Sequence, residues 1–148
     1  SKIKNTTGLR FFTVYGPWGR PDMALFDFTK NIIAGNPIKL FNNGNMTRDF
    51  TYIDDIVNGI LLLLNAEGKE IYNIGRGEKV KLLDFVKEIE KNLGRTAITE
   101  LVPMHPADTQ TTWSDTTKLQ KLGYNPKVSI AEGVENFVNW YKDYYKVN

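Results

Sequence analysis

Strand-like segments alternate along the chain with segments that carry apolar residues at helical spacing. Residues 9–15 are β-branched and aromatic and end at Gly16-Pro17, so they predict a buried strand followed by a loop. Further strands are predicted at residues 38–41, 48–53, 70–74 and 98–102. This alternation is typical of an α/β fold. A buried strand so near the start of the chain indicates a piece of a larger α/β protein.

The predicted helices are marked by their apolar faces and by their ends. The faces are Leu25, Phe28 and Ile32; Ile56, Ile60 and Leu63 or Leu64; Leu82, Val86, Ile89 and Leu93; and Ile130, Val134, Phe137 and Tyr141. Asp22 is predicted to cap the first helix, and Asp54 or Asp55 the second, since a carboxylate accepts hydrogen bonds from free amides there. Ser129 and Glu132 predict a capping box for the last helix.

The composition excludes several classes of protein. The formal net charge is only +2 and the basic residues are dispersed among acids, which argues against a nucleic-acid-binding surface. There is no cysteine and only one histidine, His105, so disulfides, thiolate metal sites and His-based metal clusters are not expected. No apolar run approaches the roughly 20 residues of a membrane span, and no secretion leader is recognised. We therefore expect a cytoplasmic protein.

The segment Gly75-Arg76-Gly77 follows a predicted strand and precedes a predicted helix, as a dinucleotide-binding fingerprint does. That fingerprint needs a third glycine so that the helix can meet the strand, and Val80 stands there instead. The segment therefore predicts an ordinary turn between a strand and a helix.

Two arginines occupy positions where an α/β fold places its ligands. Arg20 lies in a loop at the carboxyl end of the first predicted strand, and Arg48 opens another strand directly after a Gly/Asn turn. A guanidinium binds phosphate or carboxylate through two parallel hydrogen bonds. Either arginine could equally form a surface ion pair of little energetic value, so the pattern leaves both interpretations open.

Four segments together carry a resemblance to a known family. They are GLRFFTVYGP at 8–17, TRDFTYIDDI at 47–56, YNIG at 72–75, and PAD through WSD at 106–115. In order and spacing they resemble the extended short-chain dehydrogenase/reductase superfamily, specifically its NAD-dependent nucleotide-sugar epimerases. The resemblance covers nearly the whole chain. It implies that residues 1–148 are the C-terminal substrate-binding part of an extended Rossmann-type fold, including late strands of its sheet, with the N-terminal dinucleotide-binding part missing.

Within that group, WGRPDMA at 18–24 is most similar to the UDP-glucuronate 4-epimerases. The resemblance implies a substrate pocket built from Thr13 near the sugar carboxylate, Arg20 at the glucuronate end, Arg48 facing the diphosphate, Leu40 and Phe41 supporting uracil, and Asp108 in the closing loop. Phe11 and Phe12 would lie near the nicotinamide. At His105 related enzymes often carry Arg or Gln. His105 could still donate a hydrogen bond there, with a charge that depends on pH.

The resemblance also implies a chemistry for which this chain lacks residues. In the family a tyrosinate removes the proton of the sugar 4-hydroxyl while hydride passes to NAD, and a lysine four positions after the tyrosine lowers its pKa. None of the seven tyrosines here is followed by lysine at that spacing. We therefore expect NAD to be bound mainly by the missing part, the parent enzyme to be a homodimer in polysaccharide biosynthesis, and this chain alone to be inactive.

Several related functions stay open at this point. A UDP-galactose 4-epimerase, a nucleotide-sugar decarboxylase or a 4,6-dehydratase would share these segments, because residues outside the chain select the reaction. A non-catalytic nucleotide-sugar-binding module is the alternative from a different class.

Overall fold

The computed structural model describes residues 4–147, which form eight strands, five α-helices and a short 3₁₀ helix. The strands are β1 (Thr6–Phe11), β2 (Thr13–Tyr15), β3 (Ile38–Phe41), β4 (Thr47–Arg48), β5 (Phe50–Tyr52), β6 (Lys69–Ile74), β7 (Val80–Lys81) and β8 (Thr99–Val102). The helices are α1 (Ala24–Ala34), α2 (Ile53–Leu62), α3 (Leu82–Leu93), α4 (Thr117–Gln120) and α5 (Ile130–Tyr145), with the 3₁₀ turn at Asn42–Gly44. The predicted α/β class is confirmed.

The strands pair two by two, and all but one of the pairs are parallel. β1 pairs with β6, β2 with β5 and β3 with β8 in parallel, whereas β4 and β7 are antiparallel. The strand predicted at 9–15 is therefore two strands, because its halves pair with different partners on either side of Phe12. The strand predicted at 48–53 divides at Asp49 for the same reason.

The prediction of burial holds for only part of the first strand. Tyr15 at the end of β2 is 5% exposed, whereas Phe11 at the end of β1 is 50% exposed. Among the residues that the structure describes, β1 pairs with β6 alone, so one of its edges and part of its surface remain open. The pattern of apolar residues could not reveal this, because it does not indicate what covers a strand.

The main core lies where α1, α3 and α5 meet the short strands. Phe50 of β5 stacks on Phe85 of α3 with ring centroids 3.9 Å apart, and Tyr15 meets both rings edge-on. Val134 and Phe137 of α5 are also fully buried in this cluster. The core therefore fixes β2 and β5, whose first residues, Thr13 and Phe50, line the candidate site.

The predicted helix caps are only partly correct. Ser129 Oγ accepts a hydrogen bond from the amide of Glu132 at 3.2 Å, as predicted. Met23 and Tyr52 occupy the N-cap positions of α1 and α2 without side-chain caps, so the predictions that Asp22 caps α1 and that Asp54 or Asp55 caps α2 are wrong. Asp55 is 2% exposed and instead accepts hydrogen bonds from the amides of residues 127 and 128. Asp55 therefore binds amides that are distant in the sequence and does not cap its own helix.

No helix among residues 4–147 combines the length and the apolar character that a membrane crossing requires. In the same range, no group of three or more His, Asp or Glu side chains is arranged to hold a metal ion.

Candidate functional site

A cleft of about 590 Å³ opens between α1, β3 and the β4 segment. It brings together four of the residues predicted from the sequence, namely Thr13, Phe41, Arg48 and Asp108. The rest of its wall combines apolar side chains with a few polar ones from α1 and β3. Such a mixture of an apolar lining and few convergent polar groups is typical of a small-molecule site. We call this the main cleft.

Arg48 is held rigidly at the main cleft by three contacts. Its Nη1 donates to the carbonyl oxygens of Thr47 at 2.9 Å and of Gln110 at 3.1 Å, and its Nη2 donates to Asp108 Oδ1 at 2.7 Å. The Arg48 side chain is only 18% exposed. A guanidinium that is fixed and partly shielded from water attracts an anion more strongly than a mobile surface arginine does.

Asp49 is the most important residue that the sequence analysis did not identify. Its carboxylate is fully buried and accepts five hydrogen bonds. Oδ1 accepts from Thr51 Oγ1 and from the amide of Arg76; Oδ2 accepts from the amide of Gly77 and from both the amide and the hydroxyl of Ser114. These bonds connect the strand that carries Arg48 to the two segments behind it. Asp49 therefore fixes the backbone next to Arg48 against Arg76, Gly77 and Ser114.

The glycine-containing turn does bind an anion, but that anion is the Asp49 carboxylate of the same chain. The amides of Arg76 and Gly77 lie 2.9 and 3.0 Å from the Asp49 oxygens. A Cβ atom on Gly75 would collide with the Ser114 hydroxyl and with Asp49 Oδ2, so this position requires glycine. The prediction that the turn is not a dinucleotide fingerprint is confirmed, since its amides are already occupied.

A second cleft, of about 690 Å³, adjoins the main cleft. Phe11, Phe12 and Arg20 line it, and it shares the side chains of Thr13 and Met23 with the main cleft. The two predicted arginines therefore lie in separate but adjacent clefts. We call this the open cleft, because exposed residues such as Trp18 form its rim.

Arg20 differs from Arg48 in how it is held. Its side chain is 75% exposed and forms an ion pair with the carboxylate of Asp22, which accepts from Nε at 3.0 Å and from Nη2 at 2.5 Å. The hydrogen bonds from Arg20 hold the pKa of Asp22 below its usual range, so Asp22 is negatively charged at neutral pH.

Leu40 and His105 are not among the residues that line the main cleft. The Leu40 side chain is 1% exposed in the core, so only the main chain of this residue could meet a ligand. His105 lies in a shallow depression of about 240 Å³ beside Phe41 and Asp108, outside the main cleft. Its Nδ1 accepts a hydrogen bond from the Ala107 amide at 3.2 Å, so Nε2 carries the ring hydrogen in the neutral form.

Three polar residues of the main cleft were missed by the sequence analysis. They are Asp27 and Asn31 on α1, whose side chains are bonded to each other at 3.0 Å, and Lys39 on β3. Positions 27 and 31 are one helical turn apart and lie beside the apolar face of Leu25, Phe28 and Ile32, so the sequence indicates that these two side chains are neighbours on the surface of α1. Alternation along β3 likewise directs Lys39 and Phe41 away from the core, which receives Ile38 and Leu40.

The buried tyrosines are unsuited to act as bases at neutral pH. A catalytic tyrosinate needs a pKa well below that of free tyrosine. Burial has the opposite effect here and raises the pKa of Tyr15, Tyr52, Tyr124 and Tyr141. The proton-transfer chemistry of a tyrosinate is therefore not supported by these four side chains.

The chain is similar to proteins of known family. The family model described as "NAD dependent epimerase/dehydratase family" matches residues 4–75. A probable UDP-glucuronate 4-epimerase of Rhizobium meliloti is 43% identical over 95% of this chain and 48% of its own length. The chain spans about half the length of the curated relatives it matches.

Solved structures show the same relationship. The crystal structure of UDP-glucuronic acid 4-epimerase from Bacillus cereus, in complex with UDP-glucuronic acid and NAD, matches with a TM-score of 0.87 and 38% identity over 93% of this chain and 45% of that one. A Thermus thermophilus UDP-glucose 4-epimerase in complex with NAD matches with a TM-score of 0.86 and 25% identity over 93% of this chain and 47% of that one.

The fold matches that of these solved nucleotide-sugar epimerases over somewhat less than half of their length. The predicted relationship to the nucleotide-sugar epimerases of that superfamily, with UDP-glucuronate 4-epimerases among its relatives, is confirmed.

Proposed function

We propose that this chain is the nucleotide-sugar-binding part of an NAD-dependent epimerase that interconverts UDP-glucuronate and UDP-galacturonate at C4 through a transient 4-keto sugar. The observation that carries this proposal is the pair of adjoining clefts, each with one guanidinium, that meet at Thr13 and Met23. A sugar nucleotide with an acidic sugar has two separated anionic groups, the diphosphate and the carboxylate. The two anionic groups of the ligand thus correspond to the two arginines, one in each cleft.

The main cleft suits the UDP portion. Arg48 would neutralise the diphosphate, and its three fixed contacts mean that little side-chain freedom is lost on binding. Phe41, which is 45% exposed at the end of β3, offers an aromatic face to the planar uracil. Asp108 already orients Arg48 and lies within reach of the same ligand.

The open cleft suits the sugar and the nicotinamide end of NAD. Thr13 stands between the clefts and Arg20 lines the outer one, so the sugar carboxylate would meet these two residues. The half-exposed ring of Phe11 fits an apolar planar group such as nicotinamide. The amides of Arg76 and Gly77 already donate to Asp49, so this glycine-containing turn is not free to bind the pyrophosphate. When bound, NAD supplies reversible hydride acceptance from C4 of the sugar.

We expect the isolated 148-residue chain to bind a UDP-sugar without converting it. The sequence contains no Tyr-x-x-x-Lys, and burial raises the pKa of Tyr15 and Tyr124, so these tyrosines are unsuited to remove the 4-hydroxyl proton. The measurement is an overnight incubation of the chain with UDP-glucuronate and NAD, followed by chromatography of the products. Formation of UDP-galacturonate above a no-protein control would contradict this part of the proposal.

Arg20→Ala is expected to weaken UDP-glucuronate about tenfold, the value of one charge-assisted contact, and to leave UDP-glucose unchanged. Only UDP-glucuronate has a carboxylate on its sugar, so only this ligand would lose a contact with Arg20. Isothermal titration of both ligands measures the difference. Arg10→Ala, which removes an exposed arginine of β1 outside both clefts, is the matched control. Equal weakening of both ligands by Arg20→Ala would remove Arg20 from the carboxylate end.

A further inference from the structure

Asp22 holds Arg20 by only one side of the guanidinium. The two hydrogen bonds use Nε and Nη2, which form one of the two forks that a guanidinium offers. The other fork consists of Nη1 and the second hydrogen of Nη2, and no side chain or carbonyl of residues 4–147 accepts from it. Because both forks lie in one rigid plane, fixing the first also fixes the direction of the second.

Asp22 is itself well placed to act as such a support. It lies in a tight turn that the Met23 amide closes by donating to the Arg20 carbonyl at 3.1 Å, directly before α1 begins. Its carboxylate is not used as a helix cap, since the N-cap position at Met23 has no side-chain bond. The Asp22 side chain also lines the main cleft while Arg20 lines the open cleft, so their ion pair extends across the wall between the two.

Resting on the proposed function above, we propose that Asp22 is a positioning residue that orients Arg20 so that its free Nη1–Nη2 fork receives the carboxylate of an acidic sugar. Arg48 does not depend on a carboxylate alone for its orientation, because the carbonyl groups of Thr47 and Gln110 also hold it. Arg20 is exposed and otherwise mobile, so the support of one carboxylate changes how often it points in the binding direction. Asp22 thereby contributes to the preference for UDP-glucuronate without touching the sugar.

A carboxylate beside Arg20 could in principle act against the ligand as a competing anion. Both side chains are largely exposed, 75% for Arg20 and 64% for Asp22, so solvent screens the repulsion between Asp22 and the ligand carboxylate. The contacts from Arg20 to Asp22 are direct, at 3.0 and 2.5 Å, whereas a ligand on the other fork of the guanidinium would lie farther from the Asp22 carboxylate, so the repulsion is the weaker interaction. We therefore expect orientation to prevail over repulsion.

The test compares two ligands on the wild type and four variants. We expect Asp22→Ala to weaken UDP-glucuronate about three- to fivefold, as ordering one long side chain in advance would predict, and to leave UDP-glucose unchanged. In an Arg20→Ala background the same change should have no further effect, since the residue that Asp22 orients is gone. Titrations of the wild type, both single variants and the double variant with each ligand supply the complete cycle. Asp22→Asn, which keeps the size of the side chain but not its charge, should lie between wild type and Asp22→Ala.

The outcomes separate this inference from the proposed function. If the wild type binds neither UDP-sugar, the proposed function itself fails. If the wild type binds UDP-glucuronate but Asp22→Ala strengthens that binding, Asp22 is a competitor and the inference is overturned. Equal changes for both ligands, or an effect that persists without Arg20, would assign Asp22 a general role in the start of α1 and would also overturn it.

Discussion

Replacing Asp49 with alanine is expected to lower the free energy of unfolding by about 3–5 kcal/mol. The substitution removes the acceptor for five hydrogen bonds, and each buried donor left without a partner costs about 1–3 kcal/mol, part of which relaxation and entering water recover. A chain of this size has a free energy of unfolding of only about 5–15 kcal/mol, so the substitution would remove a large part of it. Urea denaturation followed by circular dichroism measures the change.

The control for this prediction is Asp54→Ala. Asp54 is exposed in the first turn of α2, where a negative charge contributes at most about 1 kcal/mol through the helix dipole. Asp49→Asn should be intermediate, because it keeps the size and one acceptor oxygen. If Asp49→Ala destabilised the chain no more than Asp54→Ala does, the hydrogen-bond network around Asp49 would not have the role assigned to it.

Arg48→Ala is expected to weaken UDP, UDP-glucose and UDP-glucuronate alike, each by about 2 kcal/mol or roughly 30-fold. All three ligands share the diphosphate, and Arg48 is the fixed, partly shielded cation of the main cleft. The loss should be nearly independent of the sugar, in contrast to the selective effect of Arg20→Ala. Isothermal titration of the three ligands measures it.

A competing explanation for weaker binding by Arg48→Ala is a disturbed loop, because Arg48 also holds Gln110 and Asp108. Asp108→Asn distinguishes the two, since it weakens the loop contact but keeps the guanidinium. Comparable losses in both variants would assign the effect to the loop, and unchanged affinity in Arg48→Ala would remove it from the site.

The sequence predicted the elements of the fold better than their pairing. Apolar periodicity located α1, α3 and α5 and the end of α3 at Gly94, because these signals are local. It could not predict that residues 9–15 divide into β1 and β2, since that depends on β5 and β6, which lie about 40 to 60 positions later in the chain.

The sequence likewise indicated some residues of the candidate site and not others. Arg48, Phe41, Thr13 and Asp108 line one cleft, whereas Arg20 and His105 lie in neighbouring ones. Asp49 was overlooked because its donors lie as far as 65 positions away, and nothing local distinguishes a buried carboxylate from an exposed one. Asp22 was assigned to a helix cap because the local rule is reasonable, but Arg20 offers a charged partner two residues away.

The most direct test of the central claim is a titration of the isotope-labelled chain with UDP, monitored through its backbone amide signals by NMR. We predict that the largest shifts fall on residues around the main cleft, in α1, β3 and β4 and in the loop that carries Asp108, with little change in β1 and β6. The absence of shifts at millimolar UDP, or shifts centred elsewhere, would contradict the account of this chain as a nucleotide-sugar-binding part.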